Sequence, residues 1–132
     1  DLYNIYDVNV FGVISLIQSL LPFFKKDSHV VNISSIGGIS GSSKFPGLTA
    51  YSSSKGALNI LTEVLAEEFK ESGPKFNSLS LGSVNTPMLS QAFPGYQAQV
   101  NPNEMASFIY DFANNSSKVF NGKVIPVSSS NP

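Results

Sequence analysis

Apolar positions recur at helical spacing from the start of the chain. Leu2, Ile5, Val8, Val13, Leu16, Ile17, Leu20 and Leu21 form a stripe that predicts a helix from Leu2 to about Phe24, ending at Pro22 and the polar Lys25-Lys26-Asp27. The period then changes. Val30-Val31-Asn32-Ile33 is a short β-branched run bounded by Asp27-Ser28 and Gly37-Gly38, which predicts a buried parallel strand over His29 to Ser34. A Gly/Ser-rich loop, Ile36 to Thr49, separates it from a second helical pattern, Ser52 to about Ser72. There Ala57, Leu58, Leu61, Val64, Leu65 and Phe69 are expected inward, Glu63, Glu67, Lys70 and Glu71 outward, and Gly73-Pro74 is the stop.

Phe76 to Leu81 reads as the next strand, followed by a loop from Gly82 to Asn101. Asn101 as N-cap, Pro102 in the first turn and Glu104 three residues past the cap predict a helix to about Ala113. Lys123 to Val127, after the turn at Asn121-Gly122, is the last predicted strand, and Ser128 to Pro132 reads as an unstructured tail. Strands alternating with helices imply parallel pairing, hence an α/β fold with an open, doubly wound parallel sheet in one domain. Such sheets bind ligands outside the carboxyl ends of their strands. Ser34-Ser35, Gly82 to Thr86 and the start of the Ser52 helix all fall on that edge, with Gly37-Gly38 expected to turn the chain sharply through positive φ and leave Ser35 facing a cleft.

Composition narrows the partners. Charged residues make up 13% of the 132 positions, against about 25% in typical globular domains, so much of the chain is expected to be interior or pressed against further protein. A net charge of −1 and eight basic residues that are all lysine give no nucleic-acid face and no polybasic membrane patch. Without cysteine there is no disulfide framework and no thiolate chemistry, which is compatible with a reducing cytosol, and a cytoplasmic location is expected. Val8 to Phe24 is apolar enough to suggest a membrane span, but Asn9, Gly12, Ser15, Gln18 and Ser19 punctuate it, and a buried helix is the expectation. The text opens on Asp1 inside a helical pattern, so further sequence is expected upstream.

The candidate chemistry centres on Tyr51 and Lys55. Residues four apart on a helix are neighbours, and a cation beside a phenol favours the phenolate, which suits a general acid or base near neutral pH. With five tyrosines and eight basic residues in the chain, chance supplies about 0.3 such spacings, so the pair alone decides nothing. His29, at a strand entry, reads as structural. Gly38-Ile39-Ser40-Gly41 lacks the spacing of a nucleophile elbow, and the glycosylation-like triplets at Asn32 and Asn114 read as coincidence.

Further motifs agree with the pair in order and spacing: Val8-Asn9-Val10-Phe11-Gly12, Val31-Asn32-Ile33-Ser34-Ser35, Tyr51-Ser52-Ser53-Ser54-Lys55-Gly56-Ala57-Leu58, Gly82-Ser83-Val84-Asn85-Thr86 and Asn103-Glu104-Met105-Ala106. Together they resemble the C-terminal half or more of a short-chain dehydrogenase/reductase, whose fold is Rossmann-like. The resemblance implies a partial sheet comprising the last three strands, NAD or NADP as cofactor, a small carbonyl or alcohol substrate, and a tetrad of Asn9, Ser35, Tyr51 and Lys55. It implies Tyr51 as acid or base, Lys55 on the nicotinamide ribose, Ser35 on the substrate oxygen, and Asn9 holding a water through a helix irregularity. Gly82, Val84 and Thr86, with Tyr51 and Lys55, would meet the cofactor. It further implies a homodimer or homotetramer through helices 2–24 and 52–72, and a phosphate-binding glycine loop upstream of Asp1. Where the family has Pro-Gly after this strand, Leu81-Gly82 stands. Two rival readings are a non-catalytic, dinucleotide-binding sensor or partner platform, and a doubly wound module of only architectural likeness.

Overall fold

In the computed structural model, which describes residues 1–129, three strands form one parallel sheet in the order β1-β2-β3: β1 His29–Ser35, β2 Lys75–Leu81 and β3 Val124–Val127. The register runs from His29 opposite Lys75 to Ser35 opposite Leu81, and from Ser78 opposite Val124 to Leu81 opposite Val127. A doubly wound α/β sheet is therefore present.

Helices cover both faces. Side chains alternate along a strand, so Val30 and Phe76 face one way and their neighbours His29 and Asn77 the other. On the first face Phe76 packs with Ile17 of helix α1 (Leu2–Phe23) and Ala66 of helix α2 (Thr49–Glu68), joined by Val13, Leu21, Leu65 and Phe69. Burying a side chain such as Phe76 contributes roughly 1.5–3 kcal/mol. On the other face His29 meets Phe112 of helix α4 (Pro102–Asn115), with ring centroids 5.5 Å apart.

Helix α4 starts as its sequence signals: Asn101 accepts from the Glu104 backbone N–H, and Glu104 returns a bond to the Asn101 N–H, closing a capping box. A short helix α3, Pro87–Ala92, lies in what reads from sequence as loop, capped by Thr86.

Four expectations are corrected. Helix α2 starts at Thr49 and ends at Glu68, and its buried stripe is Ser54, Leu58, Thr62 and Ala66, with Val64 50% exposed. Small and polar side chains take the sheet side because the helix sits close to the strands, where Asn32 donates to the Thr62 hydroxyl and Ser78 to the Asn59 carbonyl oxygen. Gly37 and Gly38 do not adopt positive φ; they form a 3₁₀ turn, Ile36–Gly38, whose glycines are required by close approach of α2 rather than by backbone handedness. Helix α1 is not a buried helix: Val10 and Ile17 are its buried residues, because one stripe packs on α2 and the sheet while Val8, Phe11, Leu16 and Phe23 remain exposed. It is long and apolar enough to pass as a membrane span by length and composition. In the tail, Ser128 packs against Gly82, and residues 130–132 lie outside the described residues.

Candidate active site

The expected tetrad is distributed over α1, the end of β1 and the first turns of α2. Tyr51 and Lys55 occupy one face of α2, with the Lys55 ammonium 5.7 Å from the centre of the Tyr51 ring. Lys55 Nζ also donates to the Ile33 carbonyl at 2.9 Å, which anchors the cation to the end of β1. Ser28 O accepts from β2, and carbonyls alternate in direction along a strand, so Ile33 O points to the outer edge of β1, away from β2. Burial lowers the Lys55 pKa below its ordinary 10.5 by desolvating the charge.

Ser35 ends β1 and caps the following 3₁₀ turn, its Oγ accepting from the Gly37 N–H at 3.1 Å. The hydroxyl proton is left for another acceptor. A Cβ built on Gly37 would lie 3.1 Å from Ser52 Oγ and 3.5 Å from Ser35 Oγ, so Ser35 and the residue next to Tyr51 flank the same small space. At Gly38 the contact is with backbone: a Cβ there would lie 2.7 Å from both Gly56 N and Lys55 C. The turn after β1 is thus seated directly on the turn of α2 that carries the tyrosine and lysine.

Asn9 lies within a π turn, Asp7–Phe11, where the Gly12 N–H reaches back five residues to Asp7 O. This is the helix irregularity that the sequence resemblance implies. Gly12 is the residue that admits it, since a Cβ there would lie 2.9 Å from Asp7 O. Asn9 Nδ2 donates to Ser54 Oγ at 3.0 Å, and Ser54 Oγ donates to the Tyr51 carbonyl at 2.7 Å. Ser54, which sequence reasoning passed over, is completely buried. Its signal was available, as a hydroxyl in the predicted helix one residue before Lys55.

The segment after β2 is built for structure first. Gly82 is held to β3 by its N–H on Val127 O, and a Cβ there would lie 2.7 Å from Ser128 Oγ. Val84 bridges Val100, and Val84 O accepts from the Thr86 N–H. Thr86 Oγ1 accepts from Leu89 N at 3.2 Å as cap of α3 and keeps its own proton to donate. Among the described residues no hydrogen bond joins these three to Tyr51 or Lys55; they share the carboxyl edge of the sheet.

The donor set suits the nicotinamide-ribose half of a dinucleotide. Lys55 has two ammonium protons beyond the one spent on Ile33 O, enough for a pair of ribose hydroxyls, and Thr86 offers a hydroxyl donor to a carboxamide. His29 is remote from this edge. Its Nδ1 bonds Ala113 O at 3.0 Å and its Nε2 meets Asn77 Nδ2 at 2.9 Å, a structural tie between β1, β2 and α4.

Residues 1–97 match the family described as short chain dehydrogenase. The chain is 33% identical over 102 residues to an uncharacterized oxidoreductase of Staphylococcus saprophyticus, a stretch covering 76% of this chain and 42% of the relative. It is 39% identical over 89 residues to a diacetyl reductase [(S)-acetoin forming] of Staphylococcus aureus, covering 65% of this chain and 33% of that protein. Among solved structures, a short chain dehydrogenase from Salmonella enterica serovar Typhi superposes with a TM-score of 0.80 at 26% identity, over 92% of this chain and 50% of the other. The Pseudomonas aeruginosa RhlG/NADP active-site complex does so with a TM-score of 0.79 at 27% identity, over 98% and 58%. The chain therefore spans less than half the length of these curated relatives.

Proposed function

Because this chain belongs to the short chain dehydrogenase family, we propose that the full-length protein is an NAD- or NADP-dependent oxidoreductase interconverting a carbonyl and a secondary alcohol. The observation that carries the reading is Lys55 held by Ile33 O beside the Tyr51 ring, on the turn of α2 seated against the end of β1. The nicotinamide, when bound, supplies or accepts the hydride at the substrate carbon.

The chain's own residues handle the oxygen and its proton. Ser35 donates its hydroxyl proton to the substrate oxygen and orients it. Tyr51 gives its phenolic proton to that oxygen in reduction and takes it back in oxidation. Lys55 stabilises the phenolate left on Tyr51 and binds ribose hydroxyls. Asn9, at the π turn, holds the end of a solvent path that reprotonates the site. Gly82, Val84 and Thr86 line the cofactor side, with Thr86 as hydroxyl donor. The apolar residues exposed on α1 and α2 support assembly as a homodimer or homotetramer through these helices.

The test is NAD(P)H oxidation by the full-length protein across a panel of small ketones and diketones. Wild type is expected to turn over, and Tyr51→Phe to lose at least about a hundredfold in kcat while keeping its NAD(P)H dissociation constant. Turnover that survives Tyr51→Phe contradicts the acid–base role. Cofactor binding with no turnover of any carbonyl in wild type favours the sensor reading.

A further inference from the structure

We propose that Ser54 is a positioning residue that pins the π turn of α1 to the catalytic turn of α2, so that Asn9 and Tyr51 move as one unit. This rests on the oxidoreductase reading above. Ser54 is 0% exposed, and its single hydroxyl makes two bonds of different origin. It donates to Tyr51 O at 2.7 Å, within its own helix, and accepts from Asn9 Nδ2 at 3.0 Å, across to the other helix. A serine hydroxyl has one proton, so with that proton on Tyr51 O its lone pair is what receives the Asn9 amide, and the two bonds are compatible only in this direction.

The position matters because of what stands on either side. Ser54 lies between Tyr51 and Lys55 in the chain, about 60° around the helix from Tyr51, and its side chain is fully buried with its hydroxyl turned to Asn9 of α1 rather than to solvent. Its effect passes through the Tyr51 backbone and the Asn9 side chain. Asn9 sits in the middle of Asp7–Phe11, a segment whose π geometry is admitted by Gly12 and held against α2 at two adjacent points, Asn9 on Ser54 and Tyr6 OH on Ser53 Oγ at 2.7 Å. The Tyr6 bond is exposed to water, which competes for it; the Ser54 bond is shielded, so it carries the register.

The experiment is a double-mutant cycle in the full-length enzyme with Ser54→Ala, Asn9→Ala and the pair, reading kcat, its pH profile and NAD(P)H binding. Each single change is expected to lower kcat by about ten- to a hundredfold through displacement of the reacting groups. The pair should be no slower than the slower single variant, with the same shift of the pH profile in all three and cofactor affinity within threefold of wild type. Additive losses in kcat, or Ser54→Ala within twofold of wild type, overturn the proposal. Should Ser54→Ala fold poorly, Asn9→Leu removes the same bond from the half-buried α1 side and must reproduce the pH shift; an unchanged profile overturns it equally. An active enzyme with an additive cycle defeats only the pin, whereas turnover that survives Tyr51→Phe defeats the reading beneath it.

Discussion

His29 shows how one side chain can be read from its partners. Its Nδ1 faces a carbonyl, Ala113 O, and so carries the proton; its Nε2 is then the acceptor for Asn77 Nδ2. Protonating Nε2 would set donor against donor at the buried Asn77, which also donates to Phe120 O and accepts from Lys123 N. Burial lowers the His29 pKa below its ordinary 6.5, opposed in part by the Ala113 bond. The unfolded chain therefore binds more protons as pH drops past about 6.5, so this contribution to stability is whole above that value and is lost as pH falls toward the folded pKa. Urea midpoints of the full-length protein at pH 7.5 and 5 are expected to fall more in wild type than in His29→Gln, because carboxylate effects are common to both. Equal falls would remove His29 as the cause.

At the scale of elements, the contact between the Ile36–Gly38 turn and α2 sets where the turn carrying Tyr51 and Lys55 stands. Gly38→Ala places a methyl 2.7 Å from the Lys55 and Gly56 backbone, which cannot yield as a side-chain tip can, so the helix turn must shift. If the proposed oxidoreductase activity holds, kinetics on the full-length protein are expected to show kcat down by about a hundredfold, since misplacement by about 1 Å costs that much. Gly41→Ala, where a Cβ meets nothing within 4 Å, is the comparison for strain in the loop itself, because Gly41 holds φ +86°. Equal losses from the two would assign the effect to the loop. Most elements were legible: the capping box at Asn101 and Glu104, the β-branched run of β1 and the alternation that implies parallel pairing all have local causes. The proposed tetrad of Asn9, Ser35, Tyr51 and Lys55 could be named from sequence because its motifs are linear, and the structure places Tyr51 and Lys55 on one face of α2. What was hidden depends on distance between elements. The buried stripe of α2 is serine, leucine, threonine and alanine, so hydrophobicity put Val64 inside, and Gly37-Gly38 looked like a turn because nothing local reveals a helix backbone within van der Waals reach.

The exposed apolar surface belongs to the molecule as a whole. Phe11, Leu16 and Phe23 on α1 are 55%, 61% and 78% exposed, and Ile60 and Val64 on α2 are 61% and 50% exposed, on two helices tied by the Tyr6–Ser53 and Asn9–Ser54 bonds. So many large apolar side chains on adjoining elements mark a surface that is covered in the working protein. Sedimentation of the full-length protein at micromolar concentration is expected to give a dimer or tetramer, as closed symmetry is the common outcome for soluble homo-oligomers. Leu16→Glu together with Val64→Glu places charges on that surface without touching Asn9, Ser35, Tyr51 or Lys55, and should shift the species toward monomer with its melting temperature little changed. A monomeric wild type whose melting temperature collapses in the double variant would mean instead that another part of the same chain covers α1 and α2. The two outcomes separate cleanly because only assembly between copies depends on protein concentration.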